Sequence, residues 1–196
     1  MFRLEYMDQN AVRFQDGVAR VGDAKKAHHA FRRAINHTGS KARTQVFRAL
    51  AKQVGLSQRD LKRHGRLRVR RANFDALEYT ITSKGRAVPL KYFRAKQFKG
   101  GVKASPWGER RFFKGLFINA GTYASGIPVG GGHVFRNSGM LAKRSGRENL
   151  PKMGYGPMIP RELIKEESAR AFEDAAQQLG PRVEHEFRRL TDGVVG

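Results

Sequence analysis

The chain has 196 residues, enough for one domain of ordinary size, and its 39 Lys and Arg against 17 Asp and Glu give a formal charge of +22. Without cysteine it has no disulfide, no thiolate nucleophile and no Cys-based zinc site. At 39% hydrophobic residues the core is lean, and a charge this large opposes compactness until a polyanion or acidic partner neutralises it.

Nucleic acid, anionic membrane and acidic protein surfaces are therefore the partner classes to weigh. No apolar run approaches the ~20 residues that span a bilayer, so no membrane partner is expected. Met1–Arg20 carries acids and no continuous apolar stretch, so it is not read as a signal peptide, and synthesis in the cytoplasm is expected.

Residues 1–22 alternate loosely through Phe2, Leu4, Tyr6, Val12, Phe14, Val18 and Val21. They read as one or two short strands, or as an arm that orders on a neighbour. Asp23 to His37 is expected to be helical, with Asp23 as cap and Ala24, Ala27, Phe31, Ala34 and Ile35 on one face. Thr38-Gly39-Ser40 either separates this from a second helix or marks the weak point of one bent helix. Either way Val46, Phe47, Leu50, Ala51 and Val54 face inward and Gly55 is the stop. Ser57 caps a short helix, Gln58 to Arg63, that ends near Gly65.

From Arg66 to Arg136 the period changes to two. Strands are expected at Leu67–Arg70, Leu77–Thr82, Val102–Ala104, Arg111–Ile118 and His133–Arg136. Val88–Phe93 reads as an edge strand returning after the turn Ser83–Arg86. Residues 120–160 are rich in Gly and Pro and read as a long loop that docks on another subunit. Arg161 to Leu190 reads as a closing helix with Leu163, Ile164, Ala171, Phe172, Ala175 and Leu179 in one stripe. A break or kink is expected at Gly180-Pro181, with Val183, Phe187 and Leu190 continuing the stripe. The expected fold is α+β: N-terminal helices packed on an antiparallel sheet, covered by a C-terminal amphipathic helix. Its parts are an arm at 1–22, helices and sheet at 23–119, the loop at 120–160, and a helix of the same domain at 161–196.

Enzyme motifs are scarce. Gly130-Gly131-Gly132-His133 has no Gly-Lys-Ser/Thr step, and no helix pattern follows it to hold a phosphate. His28, His29 and His37 have no carboxylate at a zinc-ligand offset, and no Gly-x-Ser-x-Gly elbow is present. Glu162, Glu166, Glu167, Glu173 and Asp174, interleaved with Lys165 and Arg170, read as a solvated helix face or a subunit contact. No catalytic residue, cofactor or metal is expected.

Two basic features remain. The first holds Arg59, Lys62, Arg63, Arg66, Arg68, Arg70 and Arg71, and on a strand Arg66, Arg68 and Arg70 share one face suited to a phosphate backbone. In the second, Lys91, Arg94, Lys96, Lys99, Lys103, Arg110, Arg111 and Lys114 alternate with Tyr92, Phe93, Phe98, Trp107, Phe112 and Phe113. Such interleaving serves stacking on single strands, or else the aromatics form a core face and the charges a wet one; the core reading is preferred for the aromatics. Lys143, Arg144 and Arg147 form a further basic group in the 120–160 loop, facing DNA or an acidic partner.

Residues 46–64 also have the spacing of a helix-turn-helix, with Ala51, Gly55 and Leu61 at the corner and Gln58 and Arg59 able to face bases. A nucleic-acid-binding regulator is the alternative that this motif supports.

The segments Ala27-x-x-Ala30-Phe31-Arg32-Arg33-Ala34-Ile35-Asn36-His37-Thr38, Ala42-Arg43-Thr44, Arg48-Ala49-Leu50-Ala51 and Gly55-Leu56-Ser57-x-x-Asp60-Leu61-Lys62 resemble minor tail protein Z of long-tailed phages. The resemblance is sharp over residues 27–62 and follows the order of elements elsewhere. It implies a non-enzymatic virion protein of the tail-completion group, acting at the head–tail junction as a basic ring, six-fold by the tail symmetry, around the DNA path. The partners implied are further copies of itself, tail terminator, tail tube or head-completion proteins, and genomic DNA. Assembly would take place in the bacterial host cytoplasm.

Overall fold

Ala24–Val54 form one continuous helix, α1. Ala27, Ala30, Phe31, Ala34, Thr38, Ala42, Val46, Leu50 and Val54 are buried along it at three- and four-residue spacing, which gives the helix a single inward stripe. Gly39 does not interrupt it. A Cβ at Gly39 would lie 2.2 Å from Cγ of Tyr79, so the glycine makes room for the tyrosine ring rather than a break in the chain. Ser40 Oγ donates to the Asn36 carbonyl at 2.7 Å, which accommodates a hydroxyl residue in mid-helix.

In the computed structural model, residues 2–4, 24–118, 129–136 and 152–190 are described. The expected cap Asp23 and most of the N-terminal arm lie outside them. The chain divides into two units: unit 1 is residues 1–50, 66–84 and 160–196, and unit 2 is residues 51–65 and 85–159. The architecture is mixed α+β, with helices and small antiparallel sheets.

Unit 1 holds most of α1, a sheet of order β1-β3-β2 (Phe2–Leu4, Thr80–Ser83, Leu67–Arg70), and three C-terminal helices. Both edges of β3 are taken, by β1 and β2. The expected return strand at Val88–Phe93 therefore does not form on it. That segment makes a bridge from Pro89 to Tyr155 and a 3-10 turn, Leu90–Tyr92, in unit 2, as suits a proline that cannot donate to a ladder. Asn36 of α1 straps the chain leaving β2: its Nδ2 donates to Ala72 O at 3.0 Å, and Ala72 N donates to its Oδ1 at 2.9 Å.

The expected closing helix is three helices: α3 (Ile159–Leu163), α4 (Glu166–Ala176) and α5 (Leu179–Leu190). Glu166 takes a positive φ of 45° at the first break, where buried Ser168 Oγ lies 2.7 Å from the Glu162 carbonyl and 2.8 Å from that of Lys165. The second break falls at Gln177 and Gln178, ahead of Gly180-Pro181. Pro181 then sits in the first turn of α5, where its missing N–H has no intrahelical partner to lose. Phe31, Ala34 and Val183 form the buried core here, joined by Leu77, Leu179 and Phe187. The Phe31 and Phe187 rings meet edge to face at 5.2 Å.

Unit 2 begins with the last turn of α1 and continues into α2 (Gln58–His64). Ser57 caps α2, accepting from Asp60 N at 3.1 Å, and Gly65 closes it, as the sequence leads one to expect. Two three-stranded antiparallel sheets follow. One is β4-β5-β6 (Lys96–Phe98, Gly101–Ala104, Arg111–Lys114) and the other β7-β8-β9 (Leu116–Phe117, Phe135–Arg136, Lys152–Met153). The expected strand Arg111–Ile118 is split at Gly115, whose φ is +74°.

Segment 120–160, expected to be loop apart from a strand at His133–Arg136, carries β8 within that strand and also β9, and its Val134 and Ile159 are completely buried. Gly154 fits against Leu90, Leu116 and Val134, and Gly156 against the Phe93 ring. These glycines serve close packing: a Cβ at Gly156 would come within 2.6 Å of the Phe93 ring, and one at Gly154 would crowd Leu90 and Leu116 at 3.0 and 3.2 Å. Residues 119–128 and 137–151 lie outside the described part.

Candidate nucleic-acid interface

The sheet β4-β5-β6 is two-faced. Its register aligns Lys96 with Lys103 and Phe112 in one row, Phe98 with Gly101 and Lys114 in another, and Gln97 with Val102 and Phe113 between them. Side chains alternate along each strand, so the first two rows share one face and the middle row takes the other. Val102 and Ala104 on the inner face are fully buried. The outer face carries Phe98, 40% exposed, and Phe112, 48% exposed, among Lys96, Lys103 and Lys114.

Local geometry holds this face in place. The turn Lys99-Gly100 closes β4 onto β5 with Gly100 at φ +83°, a conformation that favours glycine. Gln97 braces it: Nε2 donates to Phe98 O at 2.9 Å and Gly101 O at 3.0 Å, and Oε1 accepts from Ile118 N at 2.7 Å. Gly101 is buried because the Phe112 ring lies across it; a Cβ there would come within 2.7 Å of Phe112 Cζ. Lys103 Nζ lies over the Phe98 ring, 4.6 Å from its centroid.

The surroundings are strongly basic. Residues 85–118 contain nine Lys and Arg and one acid, Glu109, which is held by Arg111 at 2.7 Å. Lys96, Lys99 and Lys114 make no ion pair among the described residues. Trp107, on the connection from β5 to β6, is 41% exposed at φ +57°, with the Arg111 guanidinium 5.6 Å from its ring. A bulky side chain at positive φ is a strained arrangement that packing must impose.

The preferred sequence reading placed these aromatics in the core, and that is corrected for three of them. Phe93 is buried, while Phe98, Trp107 and Phe112 face solvent. Lys96-x-Phe98 and Phe112-x-Lys114 carry the signal, because period two puts each aromatic on the same face as a lysine.

The other basic group is divided between the units. Arg59, Lys62 and Arg63 are exposed on α2 in unit 2, whereas Arg66, Arg68, Arg70 and Arg71 are exposed in and around β2 in unit 1. The expected three-arginine stripe is incomplete. Arg66 precedes the strand at φ 43°, and Arg70 is paired with Glu78. Lys143, Arg144 and Arg147 lie outside the described residues.

The helix-turn-helix corner exists in outline. Gln58 and Arg59 are exposed and Leu61 is buried, but α2 has seven residues, ~10 Å of helix. Gly55, at φ +75°, is packed on the backbone of Ser105 and Gly108, which gives the corner a structural duty of its own. Among the described residues no helix is long and apolar enough to cross a membrane, and no group of three or more His, Asp or Glu is placed to hold a metal ion. Compared with protein-family models, curated proteins and solved structures, the chain matches none of them.

Proposed function

We propose that the protein is a non-enzymatic assembly protein that engages DNA without reading its sequence, through the basic surface of unit 2. The observation that carries this is the partition of charge. Unit 2 holds 18 Lys and Arg against three Asp and Glu, a surplus of 15 out of the chain's +22. A surplus this concentrated exceeds what solubility asks of a small domain and marks a polyanion-facing surface. The setting we infer is tail completion at the head–tail junction of a long-tailed phage, with several copies forming a basic ring around the DNA path. The likeness of residues 27–62 to minor tail protein Z supports that setting.

Fluorescence anisotropy with short duplexes of unrelated sequence tests the first part. Affinity should be alike for all of them and fall at least ~10-fold between low and moderate salt, as counterion release requires. A strong preference for one sequence, abolished by changing Gln58 or Arg59, would replace this reading with a helix-turn-helix regulator. Quantification of the chain in purified tail necks tests the setting: about six copies are expected from tail symmetry, and a single copy would refute the ring.

A further inference from the structure

From the geometry of the β4-β5-β6 sheet we infer that its outer face is a stacking platform for an unpaired DNA strand, with bases on Phe98 and Phe112 and phosphates on Lys96, Lys99, Lys103 and Lys114. The inference rests on the reading of unit 2 as the DNA-facing part and goes beyond it by naming the surface and the form of DNA.

A duplex offers a protein its phosphates and its groove edges, with the base faces stacked out of reach. Lysines alone would serve that purpose, and exposed phenylalanines would gain little from it. An unpaired strand presents both phosphates and base faces, and every base has a π-face to lay on a ring. The outer face has both kinds of group in alternation: a ring and a lysine in one row, two lysines and a ring in the next. Phe98 and Phe112 rise from the two flanking strands, whose backbones lie ~10 Å apart across the sheet, and the Phe112 ring reaches back over Gly101, the cross-strand partner of Phe98. Neighbouring bases of one strand can occupy them.

The rings are also held ready. Phe112 rests on Gly101, the one residue in the sheet that leaves space for it, and Lys103 sits over Phe98. Pre-set side chains lose little freedom on binding. Charge complementarity argues for DNA over an apolar protein partner. Covering this face with apolar groups would strip water from Lys96, Lys103 and Lys114 with nothing to pair them.

The test uses the full chain with a (dT)20 oligonucleotide and a 20-base-pair duplex. Phe98→Ala and Phe112→Ala should each weaken (dT)20 binding about tenfold and leave duplex binding within about twofold. Both rings are exposed, so the variants should keep the circular dichroism spectrum and melting temperature of the parent. Phe74→Ala, an exposed ring in unit 1, is the control and should change neither affinity. A direct signature comes from Phe98→Trp combined with Trp107→Phe, whose single indole should be quenched on adding (dT)20. Unchanged (dT)20 affinity in both alanine variants, or equal losses for (dT)20 and duplex, would overturn the platform and leave the charge-based reading standing. Failure of the parent to bind either DNA would overturn both. A parent that self-associates, with alanine variants that are monomeric and bind (dT)20 as before, would show the face to be a contact between copies and also overturn the inference.

Discussion

The two units of this chain handle charge in opposite ways. Unit 1 has 21 Lys and Arg against 14 Asp and Glu, and several of these meet inside it: Arg33 and Arg182 close on Glu186, and Arg70 on Glu78. Unit 2 has 18 against three, and its exposed lysines go unanswered among the described residues. Ion pairs close inside unit 1, whereas in unit 2 the one described pair is Arg111 with Glu109, which leaves its surplus of positive charge as the basis of the DNA-binding proposal. The same contrast runs through the aromatics. Phe31 and Phe187 interlock in the core of unit 1, whereas Phe98 and Phe112 stand on the open face of a sheet in unit 2.

Moving charge should separate the two units most clearly. Reversing Lys96, Lys103 and Lys114 to Glu should weaken DNA binding at low salt by ~100-fold or more, since each reversal removes one phosphate contact and adds a repulsion. Reversing Lys25, Lys41 and Arg48, three exposed cations of unit 1, changes net charge by the same amount. It should cost less than ~10-fold. Equal losses in an anisotropy titration would mean that total charge governs binding and that the partition is incidental.

Gly39→Ala sharpens the structural side of the contrast. Helix propensity alone promises a gain of up to ~1 kcal/mol from this change in the middle of α1. The Tyr79 ring stands where the methyl would go, with three ring carbons within 2.6 Å, so a loss of about 2 kcal/mol is expected instead. Urea denaturation gives the sign directly. Neutral or improved stability would show the ring free to move, and with it the attachment of Tyr79 to α1.

Much of this was legible in the sequence, and the misses have physical reasons. The stripe of α1, the Ser57 cap, the strand Leu67–Arg70 and the strand expected at Val102–Ala104, which starts one residue earlier at Gly101, follow from local periodicity, which local backbone physics enforces. The glycines at 39, 154 and 156 misled because one letter serves both looseness and close packing, and only the neighbour across the fold decides which. Val88–Phe93 has strand-like spacing but no free edge on β3 to join, a fact held in the topology. The platform was half visible: Lys-x-Phe and Phe-x-Lys place ring and charge on one face. What period two does not say is which face meets the core.

Glu186 tests how far unit 1 depends on internal pairing. It is 1% exposed, with Arg33 Nε 3.1 Å from its Oε2 and Arg182 on its other oxygen. Both arginines keep access to water, so Glu186→Gln strands them less than a fully enclosed pair would be. A loss of about 1–2 kcal/mol is expected, visible as a lower melting temperature. DNA affinity should stay within about twofold, because the change raises the net charge by only one and lies outside the proposed DNA-binding unit. A neutral result would say that the triad balances its own desolvation and contributes nothing net.

The smallest expected effect is on pH dependence, and both units contribute to it. His64 and His133 in unit 2 and His37 in unit 1 all titrate below the ordinary 6.5. Burial is the leading cause for each. Lys91 adds to it at His64 and His133, against Asp60 and alongside Arg63 at the former; Arg182 and Lys41 add to it at His37, against Glu186. The folded protein therefore holds these rings neutral, while the unfolded chain takes up protons as pH falls past 6.5. Stability should be flat above about pH 7.5 and decline through the region below 6.5, levelling once the folded-state rings protonate too. The decline should be small, because His37 is exposed and the other two are only half-buried, which leaves solvent to screen the charges. Lys91→Gln removes the cation shared by His64 and His133 and should shallow the decline between pH 7 and 5.5 in urea midpoints. His37→Gln should shallow it separately, by removing that titrating ring from unit 1. If Lys91→Gln leaves the slope as it was while His64→Gln flattens it, burial against Tyr92, 3.9 Å from His64 between ring centroids, accounts for the lowering without help from charge.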